Sequence, residues 1–202
     1  MSSQQRRPRG RPSSIDRGAA LAAITDVFWA KGFVGASLDD LTAAAGVSRP
    51  SLDRLFGDKQ AVFLAALDAY AAGIGAEPMA AFEAEDDVAD AVAAFLRRSA
   101  ENNTSDDHAP GCLIGCVAAS SAADMPDVAA RVRAVFDDTR DRLAARFERE
   151  VARGALAPTP SPAERAGLMV DLMNGIAVRA RAGASRKTLL AEVPGRVAAV
   201  IG

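Results

Sequence analysis

The sequence predicts an all-α fold: a small three-helix unit at the N-terminus, then a larger helical body, about nine helices in all. Three observations predict it. Half of the 202 residues are apolar but only 5% are aromatic, alanine is abundant and β-branched runs are short, a composition that favours helices. Apolar residues recur at threes and fours in segment after segment. Ser or Asp stands before these segments and Gly after them, as at helix ends. The length suffices for a large core in one or two domains.

Residues 1–13 form a basic arm of mostly Ser, Gln, Pro, Gly and Arg without acids. It is too polar to fold alone, so it is expected to be disordered, and to meet phosphates or the minor groove when DNA is bound. The first helix starts at an Asp16 N-cap and runs to about Lys31, with Leu21, Ile24, Val27 and Phe28 inward. Gly32 stops it, and Phe33 plugs the core behind it. Ser37 to Lys59 reads as two short helices about a tight turn. Ser37 caps the first, whose Leu38, Leu41 and Ala45 share a face, and Gly46 ends it where a left-handed residue is cheapest. Ser48 caps the second, Pro50 fits its first turn, and Leu52, Leu55 and Phe56 anchor it. Arg49, Pro50, Ser51, Asp53 and Arg54 remain outward. A short helix with few apolar anchors and small, polar and basic side chains at its start is what a helix-turn-helix places in the DNA major groove. Residues 14–60 are the expected DNA-binding domain. Asp58 then caps a fourth helix, entered at Lys59 and bridging into the body, residues 61–202. Its free N–H groups and this lysine form a candidate phosphate clamp, and Val62, Phe63, Leu67, Tyr70 and Ile74 carry its apolar face onward.

Gly73, Gly75 and Pro78 predict a break near residue 75. The fifth helix covers about 86–102, with Val88, Val92, Phe95 and Leu96 inward and solvent-facing acids at its start. After a polar loop the sixth, about 111–122, is small and apolar on nearly every side and so buried. The seventh opens at Pro126 and runs to Gly154. Ser161-Pro162-Ala163-Glu164 is a capping box that opens the eighth, whose wide apolar surface carries Leu168, Met169, Leu172, Met173, Ile176 and Val178 to about Ala182. Ser185 caps the ninth, with Leu189, Leu190, Val193, Val197 and Val200 inward, and Pro194 within it predicts a kink or split. Two such broad faces exceed what one subunit covers, which points to a dimer interface. Its candidates are Leu168, Leu172, Ile176, Leu189, Val193 and Val197.

The formal net charge of −2 hides an asymmetry. Residues 1–60 hold nine Lys and Arg against six acids, and the rest is acidic, as for a DNA-binding end on a body that does not touch DNA. Neither a secretory signal nor a membrane span is read, and two cysteines without a signal point to reduced thiols; a soluble, cytoplasmic protein is expected. His108, Cys112 and Cys116, four apart, would share a helical face as a metal or redox site. Pro110 leaves His108 in the loop, and three ligands make a weak metal site, so packing or pocket lining is favoured over thiol sensing and thiol sensing over metal. No phosphate loop, nucleophile elbow or metalloprotease motif occurs; with one His, one Tyr and one Trp, neither an enzyme nor a cofactor is expected. Asp171 and Asn174 are open to two readings, orienting a ligand or locking the dimer.

RGRPSSIDRGAALAAITDVFWAKGF, SLDDLTAAAGVSRPSLDRLFGDK and GDKQAVFLAALDAY together resemble the DNA-binding domain of TetR-family transcriptional regulators, densely from Arg9 to Tyr70. NGIAVRARAGASRKTLL more loosely resembles the dimer region of one family branch. The resemblance implies a ligand-released repressor, a homodimer paired through its last two helices and reading a near-palindromic double-stranded operator. Arg49, Ser51 and Arg54 would lie at or near base edges. Ser37, Thr42, Ser48 and Lys59, with Arg9 and Arg11, would meet phosphates. It also implies an unidentified small-molecule effector among the fourth to eighth helices, with Phe95, Cys112, Cys116, Met169 and Met173 as pocket candidates. The alternative is a small-molecule-binding or thiol redox-sensing protein on the same fold with weakened DNA binding. The departure is Asp53, where most relatives carry a tyrosine that meets a phosphate. A carboxylate there is repelled by phosphate unless it accepts from a cytosine amino group or pairs with Arg49 or Arg54.

Overall fold

The computed structural model describes residues 15–202, so the arm with Arg9 and Arg11 lies outside the described residues. Helix α1 (Arg17–Gly35) is capped by Asp16, whose carboxylate accepts from the N–H groups of Gly18 and Ala19. The predicted stop is present as a break within it: Gly32 sits at φ 72°, a conformation that only glycine adopts cheaply. Phe33 beyond the break packs toward Phe28 and Phe63, with centroids 6.3 and 5.3 Å away. Helices α2 (Leu38–Ala45) and α3 (Arg49–Phe56) follow. A reciprocal capping box between Ser37 and Asp40 starts α2, and Gly46 closes it in the left-handed conformation. Leu41 and Leu52, both fully buried, pin the pair to α1 and to α4 (Lys59–Ala72).

At the predicted break a 3₁₀ turn (Ile74–Ala76) leads into a further helix, α5 (Glu77–Glu83). Gly73 ends α4, and Pro78 fits the first turn of α5, which needs no N–H from it. Asp87 caps α6 (Val88–Asn103). The predicted sixth helix is buried only in part: Leu113, Ile114, Val117 and Ala118 are buried while Ala119 and Ser120 are exposed, and Leu113–Ala118 is wound as a π-helix, followed by the short α7 (Ala119–Ser121). Then come α8 (Pro126–Ala152), α9 (Pro162–Arg181), α10 (Arg186–Ala191) and α11 (Val193–Ile201). The Ser161–Glu164 capping box is formed, and Pro194, in the first turn of α11, accompanies the predicted split.

Two apolar clusters hold the chain. One joins α1–α4 to Leu113, Ile114 and Val117 of the π-helix and to Val128 and Val132 of α8. The other joins α5, α6, α8, α9, α10 and α11, with Phe82 edge-on to Phe95 and Phe147. Arg165, 1% exposed, donates to the carbonyls of Ala157, Pro160, Val200 and Ile201, which supplies partners to the last turn of α11. Among the described residues no helix is long and apolar enough to cross a membrane.

The structure corrects part of the dimer reading. Ile176, Leu189 and Val193 are 0, 0 and 2% exposed and pack into the second cluster of their own subunit. Leu168, Leu172 and Val197 are half-buried against the same cluster. The outward line of α9 is Asp171, Gly175 and Val178, and that of α11 is Pro194, Gly195, Ala198 and Ala199. Large apolar residues mark the side of a helix that faces its own core, and the small ones left outside do not stand out in a hydropathy pattern.

Candidate nucleic-acid interface and inner cavity

Helix α3 presents its start to solvent. Arg49, Pro50, Asp53 and Arg54 are exposed and Ser51 is half-exposed, while Leu52 and Phe56 face inward. Ser48 occupies the N-cap position, but its hydroxyl donates to Ser51 Oγ at 3.0 Å and caps no backbone N–H. That expected cap is absent because a side-chain partner lies one turn on. Asp53 forms no ion pair with Arg49 or Arg54 among the described residues. On α2, Ser37 is engaged in its capping box and Thr42 donates to Asp39 O. The ammonium of Lys59 lies 4.6 Å from the centroid of Phe33, a cation–π contact at the mouth of α4. The Lys31 ammonium is 2.6 Å from Asp40, and that hydrogen bond, with those from Ser37, holds the Asp40 carboxyl well below its usual range.

Behind this head, residues of α4, α6, the π-helix, α8 and α9 enclose a cavity of about 50 Å³ whose wall includes Tyr70, Asn103, Cys112, Phe136, Met173 and Asn174. Of the pocket candidates, Cys112 and Met173 line it. Phe95 and Met169 are buried in the second apolar cluster instead, and Cys116 opens onto a separate shallow depression beside Ser120 and Val178. Helical periodicity identifies buried residues but not which of them border a void. Asn174 faces the cavity and Asp171 faces solvent, so the two residues part ways. The Tyr70 hydroxyl donates to Cys112 Sγ at 3.3 Å. Burial pushes both groups up from their ordinary values, which keeps the thiol protonated at neutral pH and weakly nucleophilic. His108 stacks on Trp29 with ring centroids 3.9 Å apart. Among the described residues no three His, Cys, Asp or Glu side chains gather where they could hold a metal ion.

Residues 20–66 match the family of bacterial regulatory proteins named tetR, and residues 88–192 match the C-terminal domain of LmrA/YxaF-like transcriptional regulators. The chain belongs to the TetR family. It is a DNA-binding transcriptional regulator. It is 30% identical over 186 residues to the transcriptional repressor ComR of Escherichia coli K12, covering 92% of this chain and 89% of that one. It is 44% identical over 71 residues to the regulator EthR of Mycolicibacterium smegmatis, a third of each chain. Among solved structures it is similar to a cysteine mutant of the TetR-family regulator CifR complexed with 26-bp double-strand operator DNA. That likeness has a TM-score of 0.86 and 31% identity over 94% of this chain and 99% of that one.

In this TetR-family regulator the head and the cavity wall also meet at a point that the sequence does not announce. Trp29 Nε1 donates to Gly111 O at 2.8 Å, and Arg181 donates to the carbonyls of Trp29 and Pro110. Gly111, at φ 82°, passes so close to α9 that a Cβ would lie 2.9 Å from Arg181 Cβ and 3.0 Å from Ala177 O. The strand of loop leading to Cys112 is thus held between the end of α1 and α9. The signal available was the lone tryptophan of an alanine-rich chain, placed one turn before the end of a helix. Its partners lie 82 and 152 residues away.

Proposed function

We propose that this regulator is a cytoplasmic repressor that works by binding alone, as a homodimer on a near-palindromic operator, and is released when a small-molecule effector enters the cavity. The observation that carries the reading is the outward start of α3, set on a fold similar to one whose solved structure contains operator DNA. Residues 14–60 act as the reading head. Arg49, Ser51 and Arg54 reach base edges or their neighbourhood, and Ser37, Thr42, Ser48 and Lys59 meet phosphates, with Lys59 leaving Phe33 to do so. Arg9 and Arg11 extend the contact from the arm.

Helix α4 transmits the signal. Lys59 is at its DNA end, and Tyr70 and Ala71 at the other end line the cavity. A guest that displaces Tyr70 tilts the helix and changes the separation of the two heads. An affinity difference of a few kcal/mol between the two spacings suffices for release. The test is selection of bound sequences from random DNA, followed by gel shifts of the winner over a salt series. A palindromic site and a steep fall of affinity with salt are expected. Absence of any selected site would leave the second reading, which the unpaired Asp53 favours: a small-molecule-binding protein whose DNA function has weakened.

A further inference from the structure

Of the five Lys and Arg residues between 15 and 60, four are accounted for: Lys31 is paired with Asp40, and Arg49, Arg54 and Lys59 stand on the proposed DNA face. The fifth is Arg17, in the first turn of α1. It is exposed, and among the described residues its guanidinium forms neither an ion pair nor a hydrogen bond. Residues 1–14 contain no acid that could pair with it. What holds Arg17 is a ring: its Cζ lies 4.9 Å from the centroid of Phe56, the last residue of α3.

The position of that ring decides what Arg17 can meet. Arg49, Asp53 and Phe56 are spaced by four and by three, so they share one side of α3. The first two are exposed, and Phe56, 9% exposed, closes the line at the helix end. Arg17 continues this side one step outward. An α-helix with its side chains is about 10–12 Å across and the major groove about 12 Å wide, so a helix lying in the groove turns its sides to the phosphate walls. A cation standing a ring's distance off such a side meets backbone rather than base edges. The stack occupies one face of the guanidinium and leaves its in-plane N–H fork open, the geometry that grips a phosphate. Resting on the ring also removes rotamer freedom before DNA arrives. Lys59, at the start of α4, is seated in the same way over Phe33. We propose that Arg17 is a further phosphate contact of the head, preorganised on Phe56. This rests on α3 lying in the major groove.

The test is a salt series with the whole protein, read by gel shift on a random-sequence duplex and on the duplex chosen by selection. Arg17→Gln lowers the steepness of log affinity against log salt by about 0.9 for each head bound. With two heads bound, its deficit relative to the parent therefore shrinks roughly tenfold between about 50 and 200 mM salt. Both duplexes lose affinity by the same factor, because a phosphate carries no sequence information. Arg17→Lys keeps the charge and loses the flat stack, so it binds more weakly with the parent's slope. Arg17→Met replaces the glutamine variant if that one fails to fold. The proposal is overturned if the uncharged variant keeps the parent's slope, or if its loss is confined to the selected duplex, which would make Arg17 a base reader. A lowered slope in Arg17→Lys overturns it too, since packing and not charge would then be at work. A parent without a steep salt slope on either duplex would instead overturn the DNA reading of α3, and Arg17 with it.

Discussion

Asp53 shows how one side chain can set the affinity of a whole interface. It stands exposed on α3 beside Arg49 and Arg54 and is paired with neither, so its charge is available to repel the phosphate backbone. Replacing it with tyrosine removes the repulsion and adds a hydroxyl donor. Asp53→Tyr is expected to tighten operator binding roughly fivefold, about 1 kcal/mol for one hydrogen bond, in gel shifts at fixed salt. Unchanged affinity and unchanged sequence preference would place Asp53 away from the phosphates. Asp40 acts on the stability of the head rather than on its binding. Its pKa is lowered from the ordinary 3.8 by Lys31 first and then by Ser37. The stabilisation is therefore complete above the unfolded value and is lost as pH falls through the lowered folded one. Asp40→Asn should flatten the loss of thermal stability between neutral pH and pH below about 3.8; a slope equal to that of the parent would remove Asp40 from the acid response.

At the scale of elements, legibility followed locality. The caps at Asp16, Ser37, Asp58 and Ser161 and the split near Pro194 depend on residues within a few positions of each other, and all were readable. Ser48 was misjudged because its hydroxyl chose another side chain, Ser51, over a backbone N–H. The π-helix was not readable. Its Gly115 lies where a Cβ would come within 2.7 Å of Asn174 Oδ1, and its first turn is closed by Cys112 Sγ accepting from Gly115 N–H. That winding is decided by α9, some 60 residues on. Gly111 belongs to the same crowded segment. Gly111→Ala combines a disfavoured φ with a clash against α9, and should cost about 1–3 kcal/mol for the backbone strain alone, measured as a lowered denaturation midpoint. It should also loosen the Trp29 hydrogen bond, visible as a shift of the indole N–H resonance. A variant as stable as the parent would show that the loop relaxes freely.

For the molecule as a whole, the question is which surface meets the second copy. The outward line of α9 ends in Val178, 56% exposed and one of the few large apolar residues so open, and small residues cover the outer side of α11. Small side chains let two helices approach closely, so a charge there is destructive to pairing. Val178→Glu is expected to yield a monomer by gel filtration with unchanged helix content. Operator affinity should fall by at least a hundredfold, because each head then binds its half-site alone. A variant that remains dimeric would move the interface elsewhere.

What the sequence determined by itself was the all-α class, most of the helices and their caps, and the helix-turn-helix with its outward residues, all written in short-range patterns of period, cap and turn; the regulatory role came with the resemblance those residues carry to TetR-family regulators. What only the tertiary structure decided was the destination of each buried side chain. It sent Ile176, Leu189 and Val193 to their own core rather than to a partner, and Phe95 and Met169 to the core rather than to the cavity. It also brought Tyr70, Asn103, Cys112 and Asn174 from four separate segments to one cavity. The physical reason is that burial is driven by apolar area, which is non-directional. A hydrophobic pattern therefore says that a residue leaves water, and only packing says what it meets.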